Sequence, residues 1–213
     1  MEVFQALEAI WAARWPILEG VGNTLFISAL SILFGTLLGV GVGLLLTYGN
    51  RAVRFIVRIY TDFLRGTPVF VLILACFYIL SVVGIQLSAF EAGIFALTLF
   101  CSSHVGEIVR GALLALPRGQ TEAAKSIGLT FPTTFFSVLL PQALRQILPT
   151  WVKASTLLSI IGVVELLLSV QQVISRTYFS LELYFFAGFV FFLINFAIEK
   201  TGRFFERKVA IPT

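Results

Sequence analysis

Residues 20–49 read GVGNTLFISALSILFGTLLGVGVGLLLTYG, a run without one charged side chain. A helix of about 20 apolar residues crosses the hydrocarbon core of a bilayer, so this run is long enough to span it. Its backbone groups would find no water there, and the helix satisfies them internally. The remainder of the chain agrees. Of 213 residues, 58% are hydrophobic and 12% charged, with a mean hydropathy of +0.98. Soluble domains carry about 25% charged residues. With 22 Phe and a single His, too little polar surface remains to coat a soluble globule. The chain reads as an all-α integral membrane protein.

Four further spans follow. The uncharged run 66–90 is span two, broken near Gly84. Span three covers about 92–116, with His104, Glu107 and Arg110 in its second half. Span four covers about 154–173 and contains Glu165, and span five covers about 183–198. Five spans put the termini on opposite sides, and the excess of Lys and Arg marks the cytoplasm. One side holds Arg51, Arg54, Arg58, Arg65, Arg110, Arg118, Lys125, Arg145, Lys153, Lys200, Arg203, Arg207 and Lys208; the other holds Arg14 and Arg176. The N-terminus is therefore expected outside and the C-terminus in the cytoplasm. Residues 1–19 form an extracytoplasmic segment, 20–207 the membrane domain and 208–213 a cytoplasmic tail. Glu2, Glu8 and Arg14 precede any apolar run, so no cleavable signal peptide is expected. The net charge of +4 is a topology signal, and no nucleic acid partner is expected. Cys76 and Cys101 lie inside apolar runs and read as small packing residues.

Within span one, Gly35, Gly39 and Gly43 share a helical face, which permits close approach of another helix. A merely Gly-rich helix is the blander alternative. After span one, Arg51, Arg54, Arg58, Asp62 and Arg65 recur at three- and four-residue steps, with Val53, Phe55, Ile56, Ile59, Tyr60 and Phe63 between them. This pattern predicts a basic amphipathic helix on the cytoplasmic surface, its arginines meeting lipid headgroups or an acidic partner. Thr67 is expected to cap span two, with Pro68 in its first turn.

Residues 116–150 read LPRGQTEAAKSIGLTFPTTFFSVLLPQALRQILPT, far longer than a common connection of about 4–6 residues. The Ala-rich run 121–127 favours helix, and Gly128 suits its end. A second helix can begin near Thr130 and Pro132. A short rigid helix anchored at both ends in membrane spans transmits rigid-body motion; a surface helical hairpin is the plainer alternative.

This segment resembles the EAA loop of ATP-binding-cassette importer permeases, through Glu122-Ala123-Ala124, Gly128 and Leu140-Pro141. Other motifs are similar to the polar amino acid uptake branch of that family: Arg65-Gly66-Thr67-Pro68, the run from Glu107 through Arg110 to Ala112, Pro117-Arg118-Gly119-Gln120, Leu140-Pro141-Gln142-Ala143, the run from Ile161 to Leu166, and Ser175-Arg176-Thr177. They occur in collinear order over nearly the whole chain. The resemblance implies a type I ABC importer permease fold, with five transmembrane helices and a cytoplasmic coupling helix, in the inner membrane. The implied function is the permease subunit of an ATP-driven amino acid importer working by alternating access. Gly119, Glu122, Ala123, Ala124, Lys125, Ile127 and Gly128 would couple it to two cytoplasmic ATP-binding subunits. The implied partners also include a sister permease subunit, an extracytoplasmic solute-binding protein, the amino acid substrate and membrane lipid. No cofactor is expected in this chain. ATP and Mg would be bound by the partner ATPase, because no GxxxxGK[ST] phosphate loop occurs here.

Two departures from the family pattern fall near its translocation path. Leu99-Phe100-Cys101-Ser102-Ser103-His104 stands where relatives often have L-N-S-G-A-Y, and Lys153-Ala154-Ser155-Thr156-Leu157 where many have K-D-T-S-L. The candidate path or gate residues are Phe100, Ser102, Ser103, His104, Glu107, Ala154, Ser155, Thr156 and Glu165. Arg65, Gly66, Thr67, Pro68 and Arg110 are read as a structural motif. The apolar replacements favour a heterodimer, in which a sister subunit supplies the main polar contacts, over a homodimer. Glu107 and Arg110 can pair within one helix. Glu165 has no basic neighbour in its own helix; it either meets a partner from another helix or is held protonated. His104 with Glu107 lacks a third metal ligand, so no metal and no catalytic residue is expected. The alternatives are a secondary transporter, which would normally show duplicated halves, and an intramembrane enzyme, which would need an oriented nucleophile and base.

Overall fold

The computed structural model describes residues 2–115, 130, 133 and 163–209, and among these it is helical without any strand. Helix α1 (Glu2–Ala12) leads through Ala13 into α2 (Arg14–Tyr48), which contains the uncharged run. At 1.5 Å per residue α2 is about 50 Å long, enough to cross a bilayer with turns to spare. Gly49 leaves the helix in an extended conformation, and the Asn50 side chain then accepts a hydrogen bond from the Val53 N–H at 2.9 Å, capping α3 (Arg51–Gly66). Helix α3 is amphipathic as its arginine spacing predicts. It exposes Phe55, Ile56, Ile59 and Phe63 while burying Thr61 and Leu64.

A 109° bend separates α3 from the following helical stretch, formed by α4 (Val69–Leu74), a π-helical turn (Ala75–Ile79) and α5 (Leu80–Val82). The bend corrects the expected cap. The Thr67 hydroxyl does not cap span two; it donates backward to the Phe63 carbonyl at 2.7 Å, closing α3. Pro68 occupies the cap position itself and not the first helical turn. Proline disfavours helical geometry in the residue before it, so Thr67 becomes extended (φ −91°, ψ 129°), and its backbone N–H and hydroxyl both donate to the Phe63 carbonyl in the last turn of α3.

The break expected near Gly84 is present, with φ +90°, a conformation that glycine adopts without a Cβ clash. Helix α6 (Ala89–Ala115) then starts with a reciprocal cap: the Glu91 carboxylate accepts from the Ser88 N–H at 2.8 Å, and the Ser88 hydroxyl accepts from the Glu91 N–H at 3.3 Å. The last two described helices are α7 (Leu166–Thr177) and α8 (Ser180–Val209). Of all these, α2, α6 and α8 are long and apolar enough to cross a membrane by themselves.

Helices α2 and α6 run parallel and in direct contact along the glycine face. A Cβ added to Gly39 would lie 2.6 Å from the Val105 Cβ, and one on Gly43 would lie 2.6 Å from the Val109 Cβ. Gly35 meets Cys101, and Gly106 of α6 receives Val42 of α2 in return. The four glycines therefore serve backbone approach, since van der Waals contact is what holds helices together in lipid. At one end of the bundle Ala6, Ile17, Leu166, Val170, Val173, Leu183 and Ala187 join α1, the start of α2, α7 and the start of α8. Arg14 and Arg176 belong to that end. Helix α3, with Arg58 and Arg65, packs at the opposite end of α2 and α6.

Candidate functional site

The sequence reading puts Glu165 in the middle of a helical span. The structure corrects this: Val163, Val164 and Glu165 are not helical, and Glu165 is the extended N-cap residue of α7 (φ −106°, ψ −176°). Its carboxylate oxygen Oε1 accepts from the Leu168 N–H at 2.9 Å. The residue is fully buried, at 0% exposure. A backbone break inside a bundle frees polar groups that must be satisfied by protein, and α2 supplies the partners. Asn23 Nδ2 donates to the Val164 carbonyl at 2.7 Å, and the Thr24 hydroxyl accepts from the Leu166 N–H at 3.1 Å. That hydroxyl lies 3.0 Å from the Gly20 carbonyl and 3.4 Å from Glu165 Oε2. With one proton to give, it favours the shorter bond. Glu165 thus acts as the cap of its own helix, with Thr24 of α2 beside its second oxygen, and not in an ion pair.

Asn23 and Thr24 were missed by the sequence reading. Asn23 is the one side-chain amide in the run 20–49, and that isolation was the available signal.

Glu107 occupies a different setting. Arg110 donates to it through Nε and Nη2 at 3.0 and 2.9 Å, the intrahelical pair expected from the spacing. From α3, Arg58 reaches Glu107 at 3.2 Å and Arg65 at 3.8 Å, while Arg58 also meets Asp62 at 3.3 Å. Two of the surface arginines thus pair with an acid of this same chain. The Tyr60 hydroxyl lies 2.6 Å from Ser102 Oγ. Ser102 spends its proton on the Leu99 carbonyl at 2.7 Å, so Tyr60 is the donor. These contacts pin α3 to α6.

Between the two carboxylates along α6 stand Phe100, Ser102, Ser103 and His104. The Phe100 and His104 rings meet at a tilt of 56° with centroids 4.5 Å apart. His104 Nδ1 lies 3.0 Å from the Phe100 carbonyl, to which Ser103 Oγ donates at 2.8 Å. The Ser103–His104 approach of 3.3 Å therefore joins two groups aimed at one acceptor, not a nucleophile and its base. Among the described residues no three His, Cys, Asp or Glu side chains gather as metal ligands. By the rise of α2 from Thr24 to Gly39, the Glu165 and Glu107 regions are more than about 20 Å apart. The structure does not bring these two together.

Within the structural motif, Arg65 and Arg110 both address Glu107, Gly66 ends α3, and Thr67 and Pro68 form the bend. Ala154, Ser155 and Thr156 lie outside the described residues, as do Gly119, Glu122, Ala123, Ala124, Lys125, Ile127 and Gly128. Of the segment 116–150, Thr130 and Thr133 are described, their hydroxyls 2.9 Å apart.

Residues 31–211 match the model of the family described as the binding-protein-dependent transport system inner membrane component. The chain belongs to that family. This permease is 31% identical over 204 residues to the L-cystine transport system permease protein TcyB of Bacillus subtilis (strain 168), covering 92% of this chain and 87% of the relative. It is 28% identical to the glutamine transport system permease protein GlnP of Escherichia coli (strain K12), covering 94% and 98%. It is 32% identical to the arginine transport system permease protein ArtQ of Bacillus subtilis (strain 168), covering 91% and 92%. The crystal structure of an amino acid ABC transporter with histidines superposes with a TM-score of 0.79 at 29% identity, covering 93% of this chain and 96% of that one. An inward-facing structure of the MetNI methionine ABC transporter shares the fold, with a TM-score of 0.76 at 24% identity, covering 92% and 97%. The chain is a multi-pass inner-membrane permease of the type I ABC importer fold, and it is not itself an enzyme.

Proposed function

We propose that this permease forms, with a sister subunit, the translocation path of an ATP-driven importer of amino acids. The observation that carries the reading is collinear similarity to three amino acid permeases over more than nine-tenths of this chain. A solute-binding protein delivers the amino acid from outside. Two ATP-binding subunits bind Mg and ATP in the cytoplasm and grip the helix containing Glu122, Ala123, Ala124, Lys125 and Ile127, between Gly119 and Gly128. Closure of the ATPases moves that helix as a rigid body and switches the permease between inward- and outward-facing states. Nucleotide and substrate bias one two-state element, so their binding is reciprocally coupled.

Within this reading Phe100, Ser102, Ser103, His104, Ala154, Ser155 and Thr156 line the path. Glu107 and its arginines tie the inner end of α6 to α3, and Glu165 fixes the start of α7 beside the path. The membrane domain is 20–207, with five spans, the N-terminus outside and the C-terminus in the cytoplasm. Arg14 and Arg176 at one end of the bundle, against the arginines of α3 at the other, support that orientation. Phe100 and Ala154, apolar where relatives often have Asn and Asp, favour a heterodimer whose sister subunit makes the main polar contacts.

Proteoliposomes containing the permease with its co-purified subunits and binding protein test the function. Uptake of labelled amino acids should require ATP inside and stop when Gly128 is replaced by Pro. Uptake driven by an ion gradient without ATP would overturn the reading. A complex holding this chain as its sole permease would overturn the heterodimer.

A further inference from the structure

A groove of 310 Å³ opens between the junction of α1 with α2 and the last turns of α7. One wall is short-chained, with Ala12, Ala13 and Pro16; the other is polar, with Ser169, Gln172 and Arg176. Ser169 is buried at 1% exposure, and its hydroxyl has no hydrogen-bond partner. Among the described residues no carboxylate pairs with Arg176. An arginine in the last turn of a helix complements the helix dipole. That role does not explain the cavity beside it; the Ser169 hydroxyl is turned away from the cavity, against Gly20 of α2.

The surroundings fix the depth of the groove. Arg14 donates to the Trp11 carbonyl at 2.9 Å, and its guanidinium lies over the Trp11 ring at 4.9 Å and the Trp15 ring at 5.6 Å. Both tryptophans are largely exposed, and exposed Phe4, Leu7 and Leu18 continue the apolar strip on either side. Exposed Trp beside Arg marks the headgroup layer of a bilayer. The four-residue step from Arg176 to Gln172 carries the polar wall about 6 Å along α7. A protein carboxylate would be satisfied at Arg176 alone. A phospholipid phosphate with glycerol and ester oxygens beneath it uses the whole wall.

We infer that this groove binds an anionic phospholipid, with Arg176 on the phosphate and Gln172 on the oxygens below it. Charge-assisted hydrogen bonds to a guanidinium supply the selectivity. Native mass spectrometry of the complete detergent-purified transporter, titrated with phosphatidylglycerol or phosphatidylcholine, tests this. Phosphatidylglycerol should be retained in preference, and Arg176→Gln should weaken it about tenfold. Arg51→Gln, at the other end of the bundle, should leave it unchanged. If Arg176→Gln does not assemble, Ala13→Leu, which fills the groove from its uncharged wall, should produce the same loss. Equal retention of the two lipids, or no effect of either groove variant, would overturn the site. Glycerol 3-phosphate binding as tightly as the lipid would overturn the lipid assignment in favour of a soluble anion. Loss of binding-protein association with lipid retention intact would assign Arg176 to a protein contact instead.

Discussion

Glu107 and Glu165 are both carboxylates in helical, apolar surroundings, yet the structure treats them in opposite ways. Glu107 is ringed by three guanidiniums from two helices and acts through its charge. Glu165 has no cation beside it among the described residues; it acts through one oxygen on the Leu168 N–H and leans on Thr24. At Glu107 the opposing charges hold one intact helix against another. At Glu165 the acceptor oxygen caps the start of a helix inside the bundle. A carboxylate at membrane depth is expensive, and these two sites offset that cost by different means, pairing in one case and capping in the other.

The comparison breaks most clearly at the buried site. Glu165→Ala removes a cap and leaves a buried N–H unpaired, for an expected loss of about 2–3 kcal/mol, measured as thermal unfolding of the detergent-purified complex. Glu165→Gln keeps an acceptor oxygen and should stay within about 1 kcal/mol of the unchanged chain. If Gln is as damaging as Ala, charge matters at Glu165 and the contrast fails. Next in size is Thr24→Val, which keeps the shape and removes the acceptor of the Leu166 N–H. It should lower stability by about 1–2 kcal/mol in the same assay.

Effects at the charged site should be smaller, because the guanidinium partners are 29–50% exposed and screened by solvent. Glu107→Gln is expected to cost about 1 kcal/mol, with the loss shrinking as salt rises; the Glu165 variants should show no such salt dependence. Smallest of all, a double-mutant cycle between Arg58 and Glu107 should return a coupling of about 0.5 kcal/mol. A coupling of several kcal/mol would mean that the pair is far drier than its exposure indicates.

Legibility followed the range of the interactions. The helical spans, the amphipathic α3 and the break at Gly84 could be read because each rests on local hydropathy, spacing or a residue with a special backbone. The glycine face of α2 could be read as a contact, but its partners Cys101, Val105 and Val109 could not, since the sequence does not say which helix approaches. Thr67 was misread because a hydroxyl at a helix junction can serve the helix behind it or the helix ahead. Pro68 decides by forcing the junction to bend. Glu165 was misread because the one breaker near it, Gly162, is a residue that membrane helices commonly carry; the helix starts at Leu166 because Asn23 and Thr24 of α2 satisfy the groups that its start exposes.

By itself the sequence determined that the chain lives in a bilayer, where the apolar runs of α2, α6 and α8 lie, and to which family it belongs, because apolar run length, charge placement and collinear motifs are properties of the chain alone. Tertiary structure decided which polar groups meet: Arg58 and Arg65 with Glu107, Tyr60 with Ser102, and Asn23 and Thr24 with the backbone at the start of α7. In lipid, such groups must find partners inside the protein, and helix packing brings those partners within reach from distant parts of the chain.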